Sequence, residues 1–451
     1  MKRLRQGIAL LALAALALAP SAAAQEKLVL TLEDSIRLAL ERNPFYQAAQ
    51  AREDQASAQV REAVAGFFPS VSAQGMNVLD KKVFSIEFPS LIPGEPPQRI
   101  KFDFTRAYQF TVNFSVPLFT GGRLISGYKS ASLNLEATRE AIRQTRQETV
   151  FNVKAGFYGL LLARETVAAT QEAVTLAEDF QKNVKNLYDV GMSSKFDLLR
   201  SEVQAANLKP QLIRARNALE EADLRLKTLL GLDLGRPVEF KGELSFRAVE
   251  VDADQSVVQA LAARPELHQL RYQRQLAGEL VKIAQAAHLP AVAVGGAYNY
   301  WANQLKFGRN AWENFYQFNL VVNIPIFGGF STSAKVGESK AALKQIELSE
   351  KGLTELVKLE VQEAVLSLRQ SREAILSQGR TVEEAQEAVR IAELNYKEGL
   401  ATNLDVSSAQ VALRQARTNY SLALFEYAVA LARLEKAVGA NTPYGGKSIA
   451  D

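Results

Sequence analysis

The sequence predicts an internally duplicated α+β membrane protein, in which strand hairpins contribute to a β-barrel and long helices pack as coiled coils. Three observations support this fold class. Residues that form turns and helix caps recur at a constant spacing in the two halves of the chain. Each half contains a strand in which apolar and polar residues alternate, and each contains a proline-free, helix-forming segment of about 64 residues.

The duplication is visible as constant offsets between matching residues. Pro44 matches Pro265 and Pro69 matches Pro290, because 265 − 44 and 290 − 69 both equal 221. Later the offset is 208, and it relates Pro117 to Pro325, Gly121 to Gly329, Tyr188 to Tyr396, Gly191 to Gly399, Asp197 to Asp405 and Gly231 to Gly439. Since such residues fix turns, breaks and caps, their spacing indicates two copies of one unit. The offset changes because the first copy has a longer loop near residues 80–106.

These offsets predict how the chain is organised. We expect a signal peptide at 1–24, a first repeat at 25–231, an inter-repeat equatorial segment at 232–252, a second repeat at 253–439 and a flexible tail at 440–451. Within the repeats, strand hairpins are expected at 69–118 and 290–326, and long helix hairpins at 123–231 and 331–438. Pro210 is expected to kink the first return helix.

The first residues have the pattern of a secretory signal peptide. Lys2 and Arg3 precede a short apolar run from Ile8 to Ala19, and small residues follow, with cleavage expected near Ala24. An N-terminal anchor helix is the alternative interpretation, although the run is short for a membrane-spanning helix. The chain contains no cysteine, so we expect no disulfides. With 53 basic and 49 acidic residues, it carries no charge excess that favours nucleic acid.

Each repeat has a strand in which apolar residues recur at every second position. In the first repeat they alternate between Tyr108 and Leu118 with Gln109, Thr111, Asn113 and Ser115, and in the second repeat they alternate between Tyr316 and Ile326 with Gln317, Asn319, Val321 and Asn323. Strands of about 10 residues span a bilayer when tilted, and aromatic residues near the strand ends suit its interfaces.

The apolar face of these strands is therefore predicted to contact lipid. The lipid-facing set comprises Phe110, Val112, Phe114 and Val116 with Phe318, Leu320, Val322 and Ile324. The alternative is a half-buried hairpin packed on a soluble core, which such alternation also produces. The remaining sequence is helical and offers no second sheet to cover the apolar face, so the membrane interpretation is favoured.

The helical segments from Ile125 to Tyr188 and from Ser333 to Tyr396 correspond to helices about 96 Å long. Helices of this length are expected to project from a compact body. Each return helix carries apolar residues at alternating steps of three and four, which predicts coiled-coil packing. These seams are Ala205, Leu208, Leu212, Ala215, Leu219, Ala222, Leu226 and Leu229, and Leu413, Ala416, Tyr420, Ala423, Tyr427, Ala430, Leu434 and Ala437.

Four strands cannot close a membrane barrel, because the smallest outer-membrane barrels need about 8 strands and an open edge in lipid leaves backbone groups unpaired. The chain is therefore expected to oligomerise, with the polar strand faces lining a lumen. The long helices are expected to continue that lumen on the periplasmic side.

The chain resembles the TolC family of bacterial outer-membrane efflux channels over nearly all of its mature length. The resemblance rests on Leu32-Glu33-Asp34-Ser35-Ile36, on Asn43-Pro44, on the paired Pro-Leu-Phe-Thr-Gly-Gly (117–122) and Pro-Ile-Phe-Gly-Gly (325–329), and on the Tyr-x-x-Gly patterns at 188–191 and 396–399. It implies a homotrimer with a 12-stranded barrel, a helical tunnel closed at its periplasmic tip, a periplasmic adaptor (membrane fusion) protein and an inner-membrane transporter. The implied function is a passive exit duct for efflux or type I secretion.

The resemblance also implies a periplasmic gate. Tyr396 and Asp197 occupy the positions of a closing hydrogen bond, and three copies of Asp405 would form an acidic ring on the axis. A second acidic position of the family is Ser408 here, and a reinforcing arginine is Ala401, so the ring and the latch are both reduced. Independently of the family, Asp197 and Asp405 fit the S/T-x-x-D pattern of a helix cap.

The turns between the long helices are predicted adaptor-docking sites, because they are the most distal points of those helices. They comprise Val190, Gly191 and Met192 in the first repeat and Glu398, Gly399 and Leu400 in the second. The alternative is that the glycines only end the helices.

No catalytic or cofactor-binding pattern is apparent, so we expect neither enzymatic activity nor a cofactor. His268 and His288 are the two histidines, and neither has a partner pattern typical of catalysis or metal binding. The competing functional class is a soluble periplasmic coiled-coil adaptor or scaffold, which also has long helical hairpins but lacks amphipathic strand hairpins. The sequence leaves drugs, metal ions, proteins and lipids open as substrates.

Overall fold

The computed structural model describes residues 28–80, 84–102, 107–306, 308 and 312–440. The predicted signal peptide lies outside these residues, as does nearly all of the predicted tail. The helices are α1 Leu32–Arg42, α2 Pro44–Ala65, α3 Arg123–Asp189, α4 Lys195–Leu229, α5 Ala253–Ala263, α6 Pro265–Ala286, α7 Ser331–Lys397 and α8 Asn403–Ala437. The strands are β1 Leu28–Leu30, β2 Ser70–Asn77, β3 Phe84–Phe88, β4 Gln98–Phe102, β5 Tyr108–Phe119, β6 Val238–Phe240, β7 Ala291–Ala302 and β8 Glu313–Asn323.

The helices repeat with the same offsets as the sequence. α3 and α7 each contain 67 residues, and 331 − 123 and 397 − 189 both equal 208. α4 and α8 each contain 35 residues and keep this offset at both ends. α1 and α5 have 11 residues each, α2 and α6 have 22 each, and both pairs are offset by 221. The long helices and the duplication are therefore confirmed.

Each long helix ends in the same left-handed glycine turn. At the end of α4, Gly231 has φ +66° and donates to the Thr228 carbonyl, while Leu232 donates to Lys227. The end of α8 repeats this arrangement at Gly439, with φ +72°. This pair of bonds satisfies carbonyls that the helix leaves unpaired.

The two glycines also allow close backbone approach to a short helix. A Cβ on Gly231 would lie 2.5 Å from the Arg42 carbonyl oxygen, and one on Gly439 would lie 3.0 Å from the Ala263 carbonyl carbon. Arg42 and Ala263 end α1 and α5, so the same junction is built twice.

The chain divides into two compact units. The first comprises Met1–Ala49, Ile142–Pro265 and Glu355–Asp451, and the second comprises Gln50–Ala141 and Glu266–Thr354. A parallel pair of short strands, β1 and β6, lies in the first unit. The core of that unit is buried around Phe157, Phe240, Leu226 and Leu230. None of the predicted seam residues of α4 and α8 is exposed, which agrees with the coiled-coil prediction.

The second unit contains a four-stranded antiparallel sheet in the order β2-β5-β7-β8. The prediction of four such strands per chain is confirmed. β8 starts and ends three residues earlier than predicted, so that it ends at Asn323 and leaves Ile324 and Ile326 outside the strand. Pro325 explains this end, since proline has no N–H to donate to a sheet ladder.

Two further predictions can be compared with the structure. The long loop near residues 80–106 contains a second hairpin, β3–β4, which the sequence analysis missed. α4 continues through Pro210 as one helix. The expected kink at this position stays a prediction.

Candidate functional site

The register of the four-stranded sheet places the apolar residues of both repeats on one face. Within β5 and β7, Val112 lies opposite Tyr298 and Phe110 lies opposite Tyr300. Across β7 and β8, Gly296 lies opposite Phe318. The same pairing continues with Val294 opposite Leu320 and Val292 opposite Val322. Because side chains two residues apart share a face, the predicted lipid-facing residues of the two repeats form one continuous surface.

A glycine lets the two repeats pack closely on this face. The rings of Phe114 and Phe318 meet edge to face, with centroids 5.8 Å apart. They come from β5 and β8, and between them β7 carries Gly296. A Cβ on Gly296 would overlap the Phe114 ring, so the missing side chain provides the space that the aromatic contact fills.

The opposite face of the sheet is polar and mostly uncharged. Thr111 donates a hydrogen bond of 2.8 Å to the Asn299 side-chain oxygen. On this face the register also groups the polar residues Ser70, Ser72, Gln74, Asn113, Ser115, Gln317 and Asn319. The same face carries the apolar residues Met76, Trp301, Phe315 and Val321. Such a face suits contact with water rather than with lipid.

Both edges of this sheet lack a pairing strand among the residues that the structure describes. β2 and β8 each pair there on one side only, and every residue in both strands is exposed. Their outer N–H and C=O groups are therefore available to another strand.

The turns between the long helices have identical backbone geometry. Gly191, with φ +75°, donates to Tyr188, and Met192 donates to Leu187. In the second repeat Gly399, with φ +73°, donates to Tyr396, and Leu400 donates to Asn395. The capping alternative for these glycines is thus satisfied in both turns.

These turns also expose large apolar side chains. Val190 is 68% exposed, Met192 is 75% exposed and Leu400 is 79% exposed. The glycine alone is enough to end each helix, so capping does not explain why these turns expose large apolar side chains.

The predicted gate acids cap the two return helices. Thr402 donates from its backbone N–H (2.8 Å) and from its hydroxyl (2.7 Å) to the Asp405 carboxylate. The Asp405 N–H donates to the Thr402 hydroxyl oxygen at 3.3 Å. These bonds from Thr402 lower the pKa of Asp405. At the other tip Ser194 donates to Asp197 (2.6 Å) and accepts from its N–H (3.0 Å). The predicted capping interactions are therefore present.

Tyr396 lies in an apolar cluster that joins the two tips. Its ring packs against Phe180 with centroids 5.1 Å apart, beside buried Val184, Leu198 and Val406. Within the described part of the chain, no hydrogen bond joins Tyr396 to Asp197. Their predicted bond between adjacent coiled coils stays a prediction. Ser408 is exposed on α8, one turn from Asp405.

A polar network near the tips escaped the sequence analysis. Asn403 donates 3.1 Å to the backbone carbonyl of Asp197, which connects the starts of α8 and α4. One turn further on, Ser407 donates to Gln204, and Gln410 donates 3.2 Å to Glu393. The spacing of these residues follows no hydrophobic period, so only the packed helices bring them together.

The described residues contain no group of three or more His, Cys, Asp or Glu side chains placed to hold a metal ion. None of the helices among them is both long and apolar enough to traverse a lipid bilayer.

Comparison with known proteins places this architecture in a family. Residues 35–232 and 257–440 match the family described as outer membrane efflux protein. The chain belongs to this family. It is 24% identical to the outer membrane efflux protein BepC of Brucella suis over 291 residues. This alignment covers 64% of this chain and 62% of BepC, so the chain spans less than two thirds of that relative's length. It is 22% identical to the outer membrane protein TolC of Vibrio cholerae over 353 residues, 73% of this chain and 76% of that protein.

Solved structures show the same fold. A crystal structure of CusC superposes with a TM-score of 0.76 and covers 91% of this chain and 92% of CusC, at 20% identity. The resemblance to TolC-like channels inferred from the sequence is thus confirmed, as is the α+β fold with long helices.

Proposed function

We propose that this outer membrane efflux protein is one protomer of a homotrimeric exit duct, which carries substrates passively from an inner-membrane transporter and a periplasmic adaptor to the cell exterior. The observation that supports this most strongly is the four-stranded sheet with one apolar face built by both repeats and two unpaired edges.

The need for several copies follows from the strand number, and the resemblance to the TolC family supports three. Four strands per chain are too few for a membrane barrel, whereas three copies supply 12 strands, an even number within the range of bacterial barrels. In this arrangement β8 of one copy pairs with β2 of the next. The apolar face then contacts lipid and the face with Thr111 and Asn299 lines the pore.

The tip turns are proposed adaptor-docking sites. Their exposed Val190, Met192 and Leu400 side chains are apolar, and apolar anchors supply much of the energy of protein interfaces. A double variant, Gly191→Trp with Gly399→Trp, is expected to leave trimer level normal and to abolish adaptor crosslinking and efflux. Retained crosslinking and efflux in a stable trimer of this variant would argue against docking at the tips.

The proposed gate places three copies of Asp405 around the axis, with Tyr396 and Asp197 opposing outward movement of neighbouring coiled coils. A planar-bilayer recording tests both parts. Asp405→Ala is expected to weaken cation selectivity, because it removes the acidic ring. Tyr396→Phe is expected to raise resting conductance without locking the channel open, because one hydrogen bond is worth only about 1.5–3 kcal/mol. Unchanged selectivity with lowered stability would leave Asp405 as a helix cap only.

Fractionation of the cell envelope separates this proposal from the adaptor alternative. An outer-membrane duct is expected to stay with the outer membrane, to require detergent for release and to run at three times the 49.5 kDa chain mass, less the signal peptide. A soluble adaptor or scaffold would instead appear in the aqueous periplasmic extract. Identification of the adaptor and transporter that co-purify with the trimer would then define the substrate class.

A further inference from the structure

The β3–β4 hairpin, residues 84–102, has no counterpart among the described residues of the second repeat. It follows β2 and precedes β5, whereas the second repeat joins β7 to β8 through only residues 303–312. The helices attach at the opposite strand ends, since α2 precedes β2 and α3 follows β5. The hairpin, which we call the first-repeat ribbon, therefore connects the ends of β2 and β5 that are remote from the helices.

The ribbon has one apolar face and one polar face. Phe84, Ile86 and Phe88 alternate with Ser85 and Glu87 along β3, and Ile86 lies opposite Ile100 of β4. On the other face the Arg99 guanidinium donates 2.9 Å to Glu87. The apolar face is uncovered in the single chain, with Phe84 64% exposed and Ile100 45% exposed.

The turn of the ribbon extends this apolar surface. Leu91 is fully exposed and Ile92 is 60% exposed. Pro89, Pro93, Pro96 and Pro97 restrict the backbone around them, which reduces the entropy lost when the turn meets a partner. A two-stranded hairpin is at best marginally stable alone in water, so this ribbon needs a surface to cover its apolar face.

We propose that the ribbon packs against the same ribbon of neighbouring copies, so that three ribbons form an apolar contact over the outer mouth of the pore. This inference rests on the proposed trimeric duct. The ribbon follows β2 in the chain, and β2 is the edge strand to which the next copy must add its β8. The chain therefore enters the ribbon from the strand at the boundary between copies.

The dimensions allow the ribbons to meet. A strand of five residues, the length of β3 and of β4, extends about 17 Å. Twelve strands spaced about 4.8 Å apart and tilted by about 40° enclose a barrel with a radius of about 12 Å. Each ribbon is thus longer than the distance from the barrel wall to the axis.

The composition favours other copies over lipid as the partner. The charged residues of the ribbon are Glu87, Glu95, Arg99 and Lys101, which cancel to zero, whereas binding to an anionic leaflet favours a basic surface. The ribbon also contains no Trp or Tyr, the residues that membrane interfaces enrich. Its apolar residues are Phe, Ile and Leu, as expected for a protein contact.

The absence of cysteine makes this contact directly testable. Leu91→Cys is expected to form a disulfide between copies when intact outer membranes are mildly oxidised. Because a disulfide joins two of three copies, at most about two thirds of the protomers can enter the crosslinked species. Ser85→Cys, on the polar face of the same ribbon, is the matched control and should crosslink much less.

A second measurement separates the possible outcomes. A nitroxide attached to Leu91→Cys should show spin–spin broadening from its copies and low accessibility to oxygen dissolved in lipid. A trimer with no crosslink, no broadening and high oxygen accessibility would place the ribbon in the membrane and overturn the contact. A chain that is monomeric in the same detergent extract would overturn the proposed function, and the ribbon contact with it.

Discussion

The two repeats have identical helix bounds after the offsets are applied, but they stabilise those helices with different side chains. In the first repeat Arg139 of α3 bonds to Glu53 of α2 at 2.9 Å. The matching positions in the second repeat are Glu347 and Arg274, with the charges reversed, and Arg274 there pairs with Glu350 of α7 at 3.1 Å. These pairs are exposed or partly exposed, and surface pairs contribute only about 0–1 kcal/mol. The contrast indicates that caps and glycine turns define the repeat, while the surface ion pairs are interchangeable.

The buried charges differ more strongly. Lys154 and Glu435 form an ion pair whose side chains are only 8% and 10% exposed. The matching residues are Gln362 and Lys227, so the second pair does not exist. Lys227 instead pairs with Asp223 of its own helix at 2.7 Å. One unit therefore contains an asymmetry that the sequence offsets alone do not reveal.

The largest expected effect comes from breaking this buried pair. Glu435→Ala leaves a buried ammonium without its partner and should lower the free energy of unfolding by about 3–5 kcal/mol. Lys154→Met combined with Glu435→Leu removes both charges and should cost much less. Urea unfolding of the detergent-solubilised protein measures both. Equal losses in the single and double variants would mean that packing, not charge, explains the effect.

Substitutions on the predicted lipid-facing surface test whether the two repeats are equivalent. Val112→Arg and Leu320→Arg should each destabilise the protein by about 2–4 kcal/mol if they lie near mid-bilayer, and should impair assembly. Thr111→Arg and Asn319→Arg, the neighbours on the polar face, should assemble and alter conductance. The measurement is the yield of heat-resistant oligomer from outer membranes. Equal tolerance of apolar-face and polar-face variants would refute the assignment of faces.

Alanine substitutions at the glycine turns distinguish the cost of backbone strain from the cost of close packing. Gly191→Ala and Gly399→Ala force alanine into a left-handed conformation in open space and should each cost about 1–2 kcal/mol. Gly231→Ala should cost more, because its Cβ would also press on the Arg42 carbonyl, and Gly439→Ala should lie between. Thermal unfolding followed by helical circular dichroism gives the order. The same shift for all four variants would exclude a packing contribution.

The smallest expected effect is the pH dependence of the Asp405 cap. Its pKa is lowered from 3.8 by hydrogen bonds from Thr402, so the folded state favours the carboxylate. The stabilisation is present above pH 3.8 and is lost as the pH falls through the lowered pKa. Thr402→Ala should therefore lower the free energy of unfolding at neutral pH. The further loss of stability on acidification should be smaller in this variant than in the unmodified protein. An unchanged acid midpoint in this variant would contradict the cap's contribution.

Much of this fold could be predicted because its determinants are local. Helix bounds follow from the caps at Ser194 and Thr402 and from the glycine turns, and the sheet faces follow from the alternation along the strands. The β3–β4 hairpin was missed because prolines and short strands resemble a loop. The pairing of β5 with β7 joins residues that are nearly 200 positions apart in the sequence, such as Thr111 and Asn299. No local pattern specifies those contacts, and the same applies to the Lys154–Glu435 pair.

The central claim is that two repeats in each of three copies line one pore, and thiol modification of single channels tests it most directly. The chain has no cysteine, so Asn113→Cys and Asn319→Cys each introduce one thiol on the polar face, one in each repeat. A membrane-impermeant thiol reagent should lower the conductance of either variant in three discrete steps, one for each copy. Val112→Cys and Leu320→Cys should not respond. Steps in only one repeat, a number of steps other than three, or equal reaction on both faces would contradict the proposed duct.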